Sequence, residues 1–133
     1  MIAPSIFLRR TILLDAVASG AMGLLLAPGA DLLTPLLGLP GILLRESGLF
    51  LIVYAALIGW LGTRAQMPRF AVMAVIAGNV MWTIGSVALL VSGAAAPSML
   101  GIVFVAMQAA AVAVFAELQI IGLKRSAAAV VTG

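Results

Sequence analysis

Four apolar runs, each opened by a proline and each long enough to cross a bilayer, govern what this chain can fold into. They follow Pro4, Pro40, Pro68 and Pro97. Proline has no N–H to give and a φ already near the helical value, so it is favoured in the first turn of a helix. A membrane span needs roughly 20 apolar residues. The runs predict helices over 6–27, 40–62, 68–91 and 97–123. Composition makes lipid the required solvent. The 133 residues are 65% hydrophobic and 8% charged, whereas a soluble domain is about one quarter charged. The predicted fold is all-α, a four-transmembrane-helix bundle forming one domain over 1–125, with a flexible C-terminal tail over 126–133.

The segments between the runs differ in character. Residues 28–39 contain Pro28, Asp31 and Pro35 but are otherwise too apolar for a free loop. They predict a short interfacial or re-entrant helical piece between helices one and two. Residues 63–69 form a tight basic turn, and 92–96 a short turn of small residues. Arg9-Arg10, an apolar run and then Ala27 to Ala30 have the layout of a signal peptide. We read the segment as the first membrane helix, retained in the protein.

Charge sets the threading. Arg9, Arg10, Arg64, Arg69, Lys124 and Arg125 all fall at one end of an up-down bundle, and only Arg45 falls at the other. The positive-inside rule then predicts cytoplasmic N- and C-termini. The net charge of +3 comes from too few and too scattered basic residues to make a phosphate-binding face, so nucleic acid is not an expected partner. The chain has no Cys and no His. That excludes disulfides, thiol catalysis, zinc-thiolate sites, His-ligated haem and His-based acid–base chemistry. The seven methionines show no metal-binding clustering and read as packing residues. No cofactor, metal or catalytic residue is expected, and the protein reads as a non-enzyme.

Three sets of polar residues remain as candidates. The first is the pair of carboxylates inside spans, Asp15 and Glu117. An ionisable group in lipid is costly without a partner, so each is a site hypothesis. At 1.5 Å per residue, Asp15 lies about 7 Å from Arg10 and Glu117 about 10 Å from Lys124. Both therefore sit at similar depth and could share a proton or a cation if helices one and four are neighbours. The structural alternative is that each pairs locally or reaches the interface. Glu117 also shares a face with Ala106, Ala110 and Ala113, a strip against which another backbone can lie closely. It is therefore read first as an interface marker and only second as a coupling site. Another small-residue strip, Ala16, Gly20 and Gly23, runs along helix one beside its polar face of Thr11, Asp15, Ser19 and Met22.

The second set is the mid-membrane stripe Asn79, Trp82, Thr83 and Ser86 on helix three, with Gln108 on helix four. Asn79 and Gln108 each lie about 15 Å into their helices, so they are expected to meet, either around a ligand or as interhelical hydrogen bonds. The third is Arg45 and Glu46 at the start of helix two, where Arg45 can reach Asp31, a lipid phosphate or a partner protein, or simply anchor the helix.

The runs Glu46-Ser-Gly-Leu-Phe-Leu-Ile-Val-Tyr-Ala-Ala, Asn79-Val-Met-Trp and Phe115-Ala-Glu-Leu-Gln resemble those of small, uncharacterised bacterial four-helix inner-membrane proteins. The resemblance spans nearly the whole chain. It implies a fold and a bacterial inner membrane, and no activity. Small multidrug resistance transporters are similar in size and use a carboxylate on helix one, but Asp15 lies nearer the helix end and the long first connection departs from their pattern. DoxX-like proteins are also small and four-helical, and none of their motifs is found here. Three functional classes follow. The first is a non-catalytic accessory or structural subunit of a larger respiratory or photosynthetic complex. The second is a small oligomeric proton-coupled transporter using Asp15 and Glu117. The third is a lipid- or quinone-binding module built on the Asn79–Trp82 stripe. Membrane lipids and either other membrane subunits or further copies of the chain are the expected partners.

Overall fold

The computed structural model describes residues 1–93 and 96–128. Its elements are β1 (Ile2–Ala3), α1 (Ile6–Leu37), α2 (Gly41–Gly62), α3 (Arg69–Ser92), α4 (Met99–Lys124) and β2 (Ala127–Ala128). All four helices are long and apolar enough to span a membrane. The protein is an all-helical, multi-pass membrane bundle. Three of its helices match the sequence-predicted runs to within two residues at either end.

The first helix departs from expectation. The segment 28–39 is helical, but it continues α1 instead of forming a separate interfacial piece. Pro28 and Pro35 lie inside a single 32-residue helix. Each proline removes one intrahelical hydrogen bond. Lateral packing compensates: Ala30 and Leu37 are buried in the core, and Ala27 lies against Gly48 of α2. At 1.5 Å per residue α1 is about 48 Å long, more than the hydrocarbon thickness of ~30 Å, so one end lies beyond the apolar slab or the helix tilts. The helix stops at Gly38, whose φ of 66° lies in the left-handed region and whose N–H bonds the Thr34 carbonyl.

Small residues bring α1 and α2 together. A Cβ on Gly23 would stand 2.7 Å from the Gly48 carbonyl oxygen, one on Gly20 would meet the Ala55 Cβ at 3.4 Å, and one on Gly59 would meet the Ala16 Cβ at 3.7 Å. The strip Ala16, Gly20, Gly23 is therefore a helix-packing seam, as its composition predicts. Helices α1 and α4 are tied at both ends. Ser5 caps α1 and its hydroxyl donates to the Gly122 carbonyl, while Ser98 caps α4 and donates from backbone and side chain to the carbonyls of Leu37 and Leu36. Helix α3 packs on α4, whereas α2 and α3 have almost no close backbone approach.

At the end carrying the termini, Ile2–Ala3 pairs antiparallel with Ala127–Ala128, and Ile2 also exchanges backbone hydrogen bonds with Met67. Ser126 hydrogen-bonds Ser5 and Gly122. The expected flexible tail over 126–133 thus begins as a paired segment. Residues 129–133 of that tail, and 94–95 of the turn 92–96, lie outside the described residues. The core has two apolar clusters. One, around Leu8, Ile12, Ile58 and Val72, lies toward the termini, and the other, around Leu26, Leu37, Leu44 and Val105, lies toward the opposite end.

Candidate membrane-embedded site

Between the two apolar clusters lies a polar layer drawn from all four helices. Asp15 of α1 is 3% exposed, Asn79 of α3 5%, and Gln119 of α4 is fully buried. Three groups surround the Asp15 Oδ2: the Tyr54 hydroxyl of α2 donates at 3.0 Å, and the Asn79 and Gln119 amides each donate at 2.9 Å. The second Asn79 N–H goes to Gln119 Oε1 at 2.8 Å, and the Ser19 hydroxyl donates to Asp15 Oδ1 at 3.0 Å. The Tyr54 oxygen also stands 3.1 Å from Asn79 Oδ1. Among the described residues no cationic side chain pairs with Asp15. Only oriented dipoles face its carboxyl group, and one carboxyl oxygen joins α1 to each of the other three helices.

This arrangement redistributes the sequence candidates. Asp15 and Glu117 do not meet: Asp15 faces inward, while Glu117 is exposed on α4 beside exposed Ala106 and Ala110. Among the described residues no helix covers that face. Asn79 and Gln108 do not meet either, because Asn79 turns to Asp15. Gln108 instead accepts from Trp82 Nε1 at 2.8 Å and donates to the Ser86 hydroxyl at 2.9 Å. Thr83 donates to the Asn79 carbonyl one turn back on its own helix. Arg45 reaches Asp31 at 3.0 Å, one of the partners its position allowed, and Glu46 is exposed. Both members of that ion pair are half or more exposed, so it adds little stability. Sequence reasoning missed Tyr54 and Gln119 as site residues. Tyr54 is the sole tyrosine, placed mid-helix in an otherwise apolar stretch of α2, and that placement was the available signal.

Because α2 and α3 stand apart, a groove opens between them toward the end away from the termini. It has a volume of about 550 Å³, within the range of small-molecule sites. Phe50, Trp82, Met22 and Phe104 are among its apolar lining, and Phe50 stacks on Trp82 with ring centroids 5.8 Å apart. Ser47, Ser86 and Gln108 add a few polar groups, and Tyr54 borders both the groove and the polar layer. Gly78 and Gly85 also line it, and a Cβ on either would meet no atom within 4 Å. Among the described residues no cluster of acidic or other metal-ligating side chains is present. Comparison of the chain with family models, curated proteins and solved structures finds no match.

Proposed function

We propose that this protein is a non-catalytic membrane module that holds a lipid-phase amphiphile, a lipid or a quinone, in the groove between α2 and α3. The observation that carries this reading is the groove itself: apolar walls with a small set of fixed polar groups, the composition of a site for a long apolar chain with a polar head. The Trp82–Gln108–Ser86 triad is internally satisfied and so presents a rigid wall. The bare glycines give further support. Glycine inside a helix costs roughly 0.5–1 kcal/mol relative to alanine, and at 78 and 85 no packing among the described residues requires it. An occupant lying flat against α3 would.

Purification in mild detergent followed by mass spectrometry tests this. A quinone or phospholipid is expected to accompany the protein, and its mass tells which. Gly85→Leu projects a side chain into the groove from a position where a Cβ meets no atom within 4 Å, and it replaces a poor helix former with a good one. It is expected to keep or raise thermal stability while cutting the bound amphiphile at least tenfold, and Trp82→Ala to lose it as well. Equal ligand content in Gly85→Leu and wild type would refute the proposal. The same spectra address a second reading, an accessory subunit of a larger complex, which the exposed Glu117 beside Ala106 and Ala110 favours. Co-purification of large membrane proteins, lost on substituting that face, is its expected sign.

We further infer that both termini are cytoplasmic in a bacterial inner membrane, since six of the seven basic residues gather at the end carrying them. A reporter fused after residue 133 is expected to be active only on the cytoplasmic side. Periplasmic activity would reverse the orientation.

A further inference from the structure

The polar layer contains one more oxygen–oxygen contact than it has protons to fill. The Tyr54 hydroxyl has a single proton, yet its oxygen lies within hydrogen-bond distance of two acceptors, Asp15 Oδ2 at 3.0 Å and Asn79 Oδ1 at 3.1 Å. With an ionised Asp15, one of these contacts is bare. Turning over the Asn79 or Gln119 amide does not help, because either flip puts a carbonyl oxygen against Asp15 Oδ2, where an N–H now donates. One added proton on Asp15 satisfies every contact. Asp15 then donates to the Tyr54 oxygen, Tyr54 donates to Asn79 Oδ1, and the two amides still donate to Asp15.

We propose that this four-helix layer is a binding site for one exchangeable proton, carried on Asp15 and held there by the hydrogen-bond chain Asp15–Tyr54–Asn79. The surroundings are those such a site needs. Asp15, Asn79 and Gln119 are buried. The titratable and charged groups facing the carboxyl are few on every packed element: α2 brings Tyr54, while α3 and α4 bring only the amides of Asn79 and Gln119. On α1 itself, Arg9 is taken by the Gly62 carbonyl and Arg10 is exposed. Tyr54 also lines the groove, so proton occupancy and groove occupancy share a residue and are linked through it. The proton site stands on the hydrogen-bond geometry and does not require the groove to be filled.

Infrared spectroscopy of the full-length protein in lipid vesicles reads it directly. A buried neutral carboxylic acid gives a carbonyl stretch distinct from those of carboxylates, and that band shifts on deuterium exchange. The band is expected in wild type near neutral pH, retained in Glu117→Gln, lost in Asp15→Asn, and shifted in Tyr54→Phe, which removes its hydrogen-bond acceptor. Absence of the band in wild type at all accessible pH values, or its loss in Glu117→Gln alone, would overturn the proposal. The wild-type and Tyr54→Phe spectra decide the matter even if Asp15→Asn does not fold. Loss of bound amphiphile with the band intact would bear on the groove alone.

Discussion

Asp15→Ala is expected to destabilise the bundle more than removal of any other polar side chain. The Oδ2 atom of Asp15 is the common hydrogen-bond partner of Tyr54, Asn79 and Gln119, so a single truncation unlinks α1 from α2, α3 and α4 together. Not every donor is stranded. Asn79 keeps Gln119 Oε1, and Tyr54 can turn to Asn79 Oδ1. The Gln119 amide, fully buried, loses the one acceptor it has. A buried polar group left unmatched costs roughly 1–3 kcal/mol, and each interhelical hydrogen bond in a membrane adds on the order of 0.6 kcal/mol. The sum is about 2–4 kcal/mol. Thermal unfolding in detergent checks it, with Arg45→Ala as the surface control. If the two variants melt alike, the layer contributes no more than an exposed ion pair.

Gly48→Ala and Gly20→Ala should move stability in opposite directions, although each adds one methyl group to the same helix seam. At Gly48 the new Cβ would overlap the Ala27 backbone nitrogen and stand 2.9 Å from the Ala27 Cα and 3.0 Å from its Cβ. Backbone cannot rotate aside, so α1 and α2 must separate. Overpacking of this kind costs about 1–3 kcal/mol. The displacement also stretches the contact between Tyr54 and Asp15, so the cost should reach the upper end of that range. At Gly20 the added methyl meets only the Ala55 Cβ at 3.4 Å, ordinary van der Waals contact. There the gain in helix propensity, up to about 1 kcal/mol, is what remains. Matched melting curves test this, and a stable Gly48→Ala variant would mean that the helices approach less closely than described here.

The candidate residues show how far a linear reading reaches. Asp15, Asn79, Trp82, Ser86 and Gln108 all lie in or beside the polar layer and groove, because a polar group deep inside an apolar run is conspicuous by itself. Their partners were less legible. Asn79 and Gln108 were matched by distance from their own helix starts, yet α3 and α4 start at opposite ends of the bundle and their tilt is not written in either run. Glu117 reads as an interface marker because alanines share its face, but an alanine strip marks only where a backbone could approach, and not whether that backbone belongs to this chain. In this chain Gly101, Val105, Ala109, Ala116 and Gln119 form the buried face of α4.

The number of spans, the boundaries of α2, α3 and α4, the clustering of basic residues at one end and the small-residue seam of α1 were determined by the sequence alone. Each depends on run length, proline position or local side-chain volume, which are properties of a segment and not of its neighbours. Only the tertiary structure decided that α1 runs unbroken through Pro28 and Pro35, that Asp15 meets Tyr54, Asn79 and Gln119 while Glu117 faces outward, and that α2 and α3 part to open a groove. Those outcomes depend on how each helix is rotated and tilted against the next. In lipid no difference in hydrophobicity between faces sets that rotation, so close packing and the hydrogen bonds of a few buried polar groups settle it.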